Sequence, residues 1–157
     1  MRIGQGIDTH RLAAGRPLML GGIEIPHDRG LEGHSDGDAL LHAITSALLG
    51  AMGEGDLGEH FPSSDPELEG IASAKLLTQV IALVAARGFK IGNVDATVIA
   101  QEPRLAPHLD KMRGAVAGLL AVENERVNVK ATSTDHLGAI GRGDGIAALA
   151  VVLLEPA

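Results

Sequence analysis

The sequence predicts an α/β fold in a single domain. Segments with apolar residues at every second position alternate with segments carrying them at helical spacing. A chain of 157 residues with 45% apolar content and mean hydropathy +0.18 can bury one sizeable core. No internal repeat, low-complexity tract or change of composition divides it, so residues 1–157 are expected to form one unit.

Arg2 to Leu12 reads as a strand, and Leu18 to Leu20 and Ile23 to Ile25 as two short ones around a turn at Gly21-Gly22. Asp38 supplies an acidic cap for a helix from Ala39 to a stop at Gly50, with His42 near its start. Gly53 to Gly70 is rich in Gly, Pro, Ser, Asp and Glu, a loop of the length that carries function. Ser73 is expected to cap the next helix, with Leu76, Leu77, Val80, Ile81 and Val84 inward and Gly88 at its stop. Ile91 to Ile99 alternates through Val94, Ala96 and Val98, a strand signal. Pro107 suits the first turn of a third helix, where Leu109, Met112, Val116, Leu119 and Leu120 recur at helical spacing. Val127 to Ala131 and Ile146 to Leu154 close as strands. Ala147 to Leu154 is apolar at every position, so both faces need cover, which a helix layer and a neighbouring subunit could provide.

Charge and residue types narrow the function. Thirteen Lys and Arg against 20 Asp and Glu leave a net charge of -7, with no basic field for a phosphate backbone. There is no Trp or Tyr, and Phe61 and Phe89 are the only Phe, so nucleic acid is not an expected partner. An anionic ligand must be met by local cations or bound metal. The absence of cysteine excludes disulfides, thiolate metal sites and a cysteine nucleophile, and suits the cytoplasm. No run approaches the ~18 apolar residues of a membrane span, so no membrane partner is expected.

Three clusters carry candidate chemistry. Asp8 and His10 leave the same face of a strand and can converge on one ion, with His42 as a third ligand, although Asp-x-His on a strand also describes a solvated face. His34-Ser35-Asp36-Gly37-Asp38 precedes a helix start, where backbone N–H groups favour an anion; a capped helix entry with a surface turn fits the same letters. Lys130-Ala131-Thr132-Ser133-Thr134-Asp135, followed by Gly141-Arg142-Gly143, suits a diphosphate and its magnesium, and equally a hydroxyl-capped glycine turn.

Taken in order, these clusters resemble the 2-C-methyl-D-erythritol 2,4-cyclodiphosphate synthases, ring-closing enzymes of the non-mevalonate isoprenoid pathway. The likeness runs nearly end to end: Arg2-Ile3-Gly4-Gln5-Gly6 with Asp8 and His10, His34 to Asp38 with His42, Gly55-Asp56-Leu57-Gly58 with Phe61-Pro62, Asn93-Val94-Asp95, Ala100-Gln101-x-Pro103, and Asn128 to Thr132 with Gly141-Arg142-Gly143. The resemblance implies a mixed β-sheet with helices on one face, assembling as a homotrimer with active sites between subunits. It implies zinc on Asp8, His10 and His42, and magnesium or manganese as a second metal at Asp135. The implied substrate is a cytidine diphosphate compound, 4-diphosphocytidyl-2-C-methyl-D-erythritol 2-phosphate, which loses CMP as its 2-phosphate attacks the β-phosphorus.

By the same resemblance, Asp56, Leu57 and Gly58 hold the methylerythritol hydroxyls. Ala100, Gln101, Glu102, Pro103, Arg104, Leu105 and Ala106 hold the cytosine, and Thr132, Ser133, Thr134 and Asp135 the phosphates. His34 and Ser133 stabilise the transition state. Further implied substrate contacts are Asp8, Thr9, His10, Ser35, Phe61, Pro62, Ser63, Ser64, Asp65, Lys130, Ala139 and Arg142. An isoprenoid diphosphate in an axial trimer cavity would meet Ile7, Leu149 and Arg142. Departures from the family pattern include Ser46 for an Asp, expected to replace a carboxylate partner of His42 by a hydroxyl, Ser63 for an Asp, Arg104 for a Lys, Ser133 for a Thr, and Asp135 for a Glu.

The residues alone leave two other classes open. One is a zinc phosphohydrolase in which the metal activates water; the other is a non-catalytic isoprenoid or nucleotide sensor. An attacking phosphate is already anionic and needs no general base, so the cyclising reaction does not require the nucleophile–base pair of a hydrolase.

Overall fold

Alternation along the strands sorts side chains onto two faces of a sheet, only one of which is covered by helices. In the computed structural model, which describes residues 1–157, the elements run β1 (Arg2–Ala14), β2 (Leu18–Leu20), β3 (Ile23–Ile25), β4 (Arg29–Leu31), α1 (Ala39–Met52), α2 (Leu57–His60), α3 (Ser73–Ala86), β5 (Phe89–Ile99), α4 (Leu109–Leu120), β6 (Val127–Thr132), α5 (Gly138–Gly141) and β7 (Gly145–Pro156). The main sheet has the order β4-β1-β7-β5-β6, and β2 and β3 form a separate hairpin. Only β5 and β6 are parallel, joined by the α4 crossover; the other pairs are antiparallel, so the sheet is mixed. No helix is long and apolar enough to cross a membrane.

Gly4, Gly6, Asp8, His10 and Leu12 of β1 face the helix layer, as do Ile146, Ala148, Ala150, Val152 and Leu154 of β7. α1 lies over β1 and β7, α3 beside α1, and α4 against β6. The opposite face is open and carries an exposed apolar patch among polar residues: Ile3 is 73% exposed, Ile7 61% and Val151 44%. Ile7 lies directly opposite Leu149 in the β1–β7 ladder. The second cover that the apolar closing strand requires is therefore not supplied within one chain.

Helix boundaries follow cap chemistry. The fully buried Asp38 caps α1 by accepting from Leu41 N at 3.0 Å, and also accepts from Gly21 N at 2.9 Å and Gly22 N at 2.7 Å. One carboxylate thus ties the β2–β3 turn to the helix start. α1 does not stop at Gly50. It runs to Gly53, whose φ of 76° and backbone N–H bonds to Leu49 and Gly50 carbonyls make the left-handed cap.

Ser73 is likewise not the cap of α3 but its first residue, after Ala72, which offers no side-chain cap. Pro107 falls in a single 3₁₀ turn, Ala106–His108, that leads into α4. The predicted loop contains the short α2, and β4 and α5 are additional elements.

The seam between β1 and α1 is unusually close. An added Cβ on Gly6 would stand 2.0 Å from the Ala43 carbonyl oxygen, and one on Gly4 1.9 Å from that of Ala47. Ala43, Ala47 and Ala51 recur every four residues along the facing stripe of α1. Glycine against alanine lets strand and helix backbones touch. This contact carries His42 down to Asp8 and His10.

Candidate active site and metal centre

Asp8 and His10 project from β1 toward α1, where His42, near the helix start and 6% exposed, meets them. Asp8 Oδ2 lies 2.7 Å from His10 Nε2 and 3.0 Å from His42 Nδ1, and the two ring nitrogens are 3.1 Å apart. The outer nitrogens show how the rings are held. His10 Nδ1 donates to the Glu32 carbonyl, and His42 Nε2 lies 2.8 Å from Ser73 Oγ and 3.0 Å from Ser35 Oγ. His10 thus turns its Nδ1–H outward and as a neutral ring presents an Nε2 lone pair to Asp8, while His42 presents Nδ1 to the same carboxylate with hydroxyls at its outer nitrogen.

Two ring nitrogens and a carboxylate facing one point can hold a cation between them. Tetrahedral zinc with ligands at about 2.0–2.1 Å separates its ligand atoms by about 3.3 Å. The observed separations of 2.7, 3.0 and 3.1 Å need to open by only a few tenths of an ångström, so the trio fits a small divalent ion. In the metal-free chain a proton does part of this work. Burial is the largest single influence on both partners and opposes their charge, but for His10 the hydrogen bond to Asp8, the attraction of its charge and the Glu32 carbonyl together outweigh it and raise the ring's pKa. At Asp8 the hydrogen bonds and charge attraction of His10 and His42 together outweigh burial and bring its pKa down to about 2.

The trio opens onto a pocket of about 210 Å3 that also includes His34, Ser35, Leu57, Phe61 and Ser63. His34 Nε2 donates to the Asp65 carbonyl at 2.9 Å, which tethers the Phe61-to-Asp65 loop to the ring. Asp56 caps α2 by accepting from Glu59 N at 3.0 Å through Oδ1. Neither Pro62 nor Ser64 lines this pocket, and Gly58 lies outside its wall.

The remaining predicted residues fall in two other hollows. Ala100, Gln101, Pro103, Arg104, Leu105 and Ala106 form a cleft of about 380 Å3 with Ala131, Thr132 and Ser133. Glu102 instead turns to Arg29 in an ion pair. Asp135, at φ 51°, accepts from Ser133 Oγ at 3.3 Å, while Thr134 Oγ1 donates to the Leu137 carbonyl at 2.8 Å. Asp135 lies outside the three-ligand cluster. Thr9, His10, Ala139 and Arg142 border a third hollow of about 670 Å3, where Arg142 pairs with Asp144 at 3.0 Å. Lys130 stands on the open sheet face, bound to Asp95, and this hydrogen bond together with that from Asn128 holds the Asp95 carboxyl below its usual pKa.

The sheet register measures how far apart the Asp8–His10 side and the Ala100-to-Ala106 cleft lie. Thr9 pairs with Ala147, Ala147 with Ile99, and Ile99 with Thr132, one row across four strands. Three strand spacings make about 14 Å between Thr9 and Thr132. One chain therefore presents the two hollows separately.

Ser46 is not a partner of His42, contrary to expectation. The outer nitrogen is met by Ser35 and Ser73, and Ser73 in turn donates to Asp36. Sequence reading missed Ser73 because a serine at a helix start reads as a cap, and no local pattern shows that it faces a histidine 31 residues earlier.

Residues 1–155 match the model of the YgbB family. The 2-C-methyl-D-erythritol 2,4-cyclodiphosphate synthase of Geotalea uraniireducens (strain Rf4) is 57% identical over 155 residues, 99% of each chain. A solved structure of 2C-methyl-D-erythritol-2,4-cyclodiphosphate synthase in its CDP-bound form superposes with TM-score 0.91 at 40% identity, covering 98% of this chain and 100% of that one. The bifunctional IspDF of Campylobacter jejuni gives TM-score 0.96 at 42% identity over 99% of this chain, which spans 42% of that longer one. The chain belongs to the YgbB family, that of the 2-C-methyl-D-erythritol 2,4-cyclodiphosphate synthases.

Proposed function

We propose that the chain closes the ring of 4-diphosphocytidyl-2-C-methyl-D-erythritol 2-phosphate. An oxygen of the 2-phosphate attacks the β-phosphorus. The bond from that phosphorus to the oxygen shared with the α-phosphorus breaks, its electron pair leaves with CMP, and 2-C-methyl-D-erythritol 2,4-cyclodiphosphate forms. The observation that carries this reading is the convergence of Asp8, His10 and His42 beside His34 on one pocket, in a chain whose relatives bear that synthase's name.

The attacking phosphate is largely ionised at neutral pH, its second pKa being about 6, so the chain has no proton to remove from it. Catalysis is positioning and charge neutralisation, and folding the substrate into line can supply about 7–11 kcal/mol of the barrier. Zinc on Asp8, His10 and His42, with magnesium or manganese at Asp135, would supply positive charge and fixed geometry for the phosphate oxygens.

His34 commits Nε2–H to the Asp65 carbonyl, so its Nδ1 donates to a phosphate oxygen when the ring carries its second proton. Ser133 supplies a hydroxyl donor from the opposite cleft, and Ser35 another from the metal pocket. The backbone of Ala100 to Ala106 offers amide donors and acceptors to a cytosine where no aromatic ring is present. Asp56 keeps Oδ2 free for a sugar hydroxyl.

The scheme includes assembly as a homotrimer, which would set the cleft of one subunit against the metal pocket of the next and would cover Ile3, Ile7 and Val151, all exposed in one chain. Around the axis, Ile7 and Leu149 would give an apolar wall for an isoprenoid diphosphate, with Arg142 at its phosphate end. Farnesyl diphosphate should raise the Tm of wild type more than that of Arg142→Ala; equal shifts, or none, remove the axial site.

Phosphorus NMR of the reaction with zinc and magnesium present tests the proposal. CMP with a cyclic diphosphate is the expected outcome. CMP with an uncyclised product would make the chain a phosphohydrolase, and no turnover of this substrate would refute the reading altogether.

A further inference from the structure

We infer that Ser73, held by Asp36, is a positioning residue that sets which nitrogen of His42 faces the metal. The inference rests on the metal reading of Asp8, His10 and His42 and adds two residues that touch neither ion nor substrate. Ser73 is fully buried and His42 Nε2 lies 2.8 Å from its Oγ. Ser73 Oγ also contacts Asp36 Oδ1, while Ser73 N donates to Asp36 Oδ2 at 3.0 Å. Asp38 N donates to Asp36 Oδ1 at 3.1 Å.

Proton accounting gives this chain a direction. An ionised carboxylate only accepts, so the single hydroxyl proton of Ser73 goes to Asp36. That leaves Ser73 Oγ with lone pairs toward His42 Nε2, which satisfies the pair only if Nε2 carries the hydrogen. His42 Nδ1 is then a lone pair aimed at Asp8 and His10. In the other tautomer, Nδ1–H would donate to Asp8 at 3.0 Å, a satisfied pair that shuts the ion out. Ser35 Oγ is 3.0 Å from the same nitrogen, but its hydroxyl is not committed to a carboxylate and can donate or accept. It cannot choose the tautomer alone.

The relay also links the metal ligand to the loop over the pocket. Ser73 begins α3, and Asp36 takes the place of the missing side-chain cap by accepting its N–H. Two backbone bonds zip the same segments together: Asp36 N to the Ile71 carbonyl at 3.0 Å and Gly70 N to the His34 carbonyl at 2.7 Å. The stretch from Phe61 that closes over the pocket thus ends on the residue that orients His42.

Two measurements test this. In the zinc-free protein, long-range proton–nitrogen NMR of labelled histidine should show His42 as the Nε2–H tautomer, and Ser73→Ala should shift it toward Nδ1–H. A His42 already in the Nδ1–H form in wild type would overturn the inference, whether or not the protein binds zinc. Competition against a chromophoric chelator should then show Ser73→Ala weakening zinc by about 10–100-fold, the usual cost of losing an outer partner of a ligand. Asp36→Asn, which turns the acceptor into a mixed donor and acceptor, should weaken it in the same direction. Equal zinc affinity in wild type and Ser73→Ala, with the tautomer unmoved, refutes the relay but leaves the metal site standing. Failure of wild type to bind zinc refutes the metal reading, and the tautomer shift still decides the relay.

Discussion

Gly6→Ala should dismantle the metal centre without touching a ligand. The added Cβ would lie 2.0 Å from the Ala43 carbonyl oxygen and 2.7 Å from Ala47 N, both backbone atoms of α1 that no rotamer can move. Relieving the first contact to 3.0 Å, the floor for real Cβ atoms, displaces the helix from the strand by about 1 Å. His42 is the neighbour of Ala43 and moves with it, while Asp8 and His10 stay on β1. Metal–ligand distances hold to about 0.2 Å, so a shift of this size exceeds the tolerance several-fold.

Two readouts follow from that displacement. Zinc affinity should fall by at least about 10–100-fold, the loss seen when only a ligand's outer partner is disturbed. Overpacking of a tight core contact costs about 1–3 kcal/mol, which for a chain of this length lowers Tm by about 2–12 °C. Chelator competition and thermal denaturation of the metal-free protein measure the two effects separately. Gly118→Ala is the control: it is an exposed residue on α4 with nothing within 4 Å of the added Cβ. It should stabilise by about 0.5–1 kcal/mol through the unfolded chain. A Gly6→Ala protein with wild-type zinc affinity and wild-type Tm would refute the claim that glycine spacing sets the ligand geometry.

Ser133→Ala should lower kcat by about 100- to 1,000-fold, as loss of one transition-state donor does, while zinc content stays unchanged; a change confined to KM would make Ser133 a binding residue only. The metal-free and zinc-loaded proteins should respond oppositely to pH. His10 has its pKa raised in the folded chain, so its contribution to stability is full below the unfolded value of 6.5 and is lost as pH rises through the raised folded value. Zinc competes with that proton and gains with rising pH. The Tm of the metal-free form should therefore fall above pH 6.5 as the zinc-induced increment grows, and parallel curves for the two forms would remove the competition. Ile7→Glu places a charge on the open sheet face, at a position 61% exposed in one chain. It should leave the subunit folded and convert the proposed trimer, sedimenting as such in wild type, to monomer in sedimentation velocity; a wild-type monomer would refute the trimer, and a trimer unchanged by the substitution would move the interface elsewhere.

How far the sequence can be read depends on whether a feature is local. Asp38 as a cap, the alternation from Val94 to Val98 and the helical spacing from Leu109 to Leu120 are one-segment signals, and each appears where expected. The end of α1 is not legible in the sequence, because Gly50 and Gly53 both suit a helix stop and only the left-handed φ of Gly53 distinguishes them. β4 has three residues and no pattern of its own; it exists because Leu31 finds Leu12 across the end of β1.

At the site, Asp8 and His10 share a strand face by spacing alone, but His42 lies 34 residues from Asp8 and joins them only through the α1–β1 contact. Residue type makes His42 a candidate third ligand, and the family resemblance is what favours that reading over a solvated strand face. The role of Ser73 appears only in the folded chain, because its partner and its anchor come from two different segments.

Composition and chemistry meet at the same seam. A domain of this size would usually fill the space between helix and sheet with large side chains, which hold the layers about 10 Å apart. At that distance, a ligand from the helix and two from the strand would need long side chains to share one ion. Here Gly4 and Gly6 on β1 face Ala43, Ala47 and Ala51 on α1, and the backbones approach until an added methyl group cannot fit. Short side chains such as Asp8 and His42 then reach a common point directly from their elements. Almost all the helical cover lies on the metal side, and the remaining apolar area of β1 and β7 is left for another copy of the chain to bury.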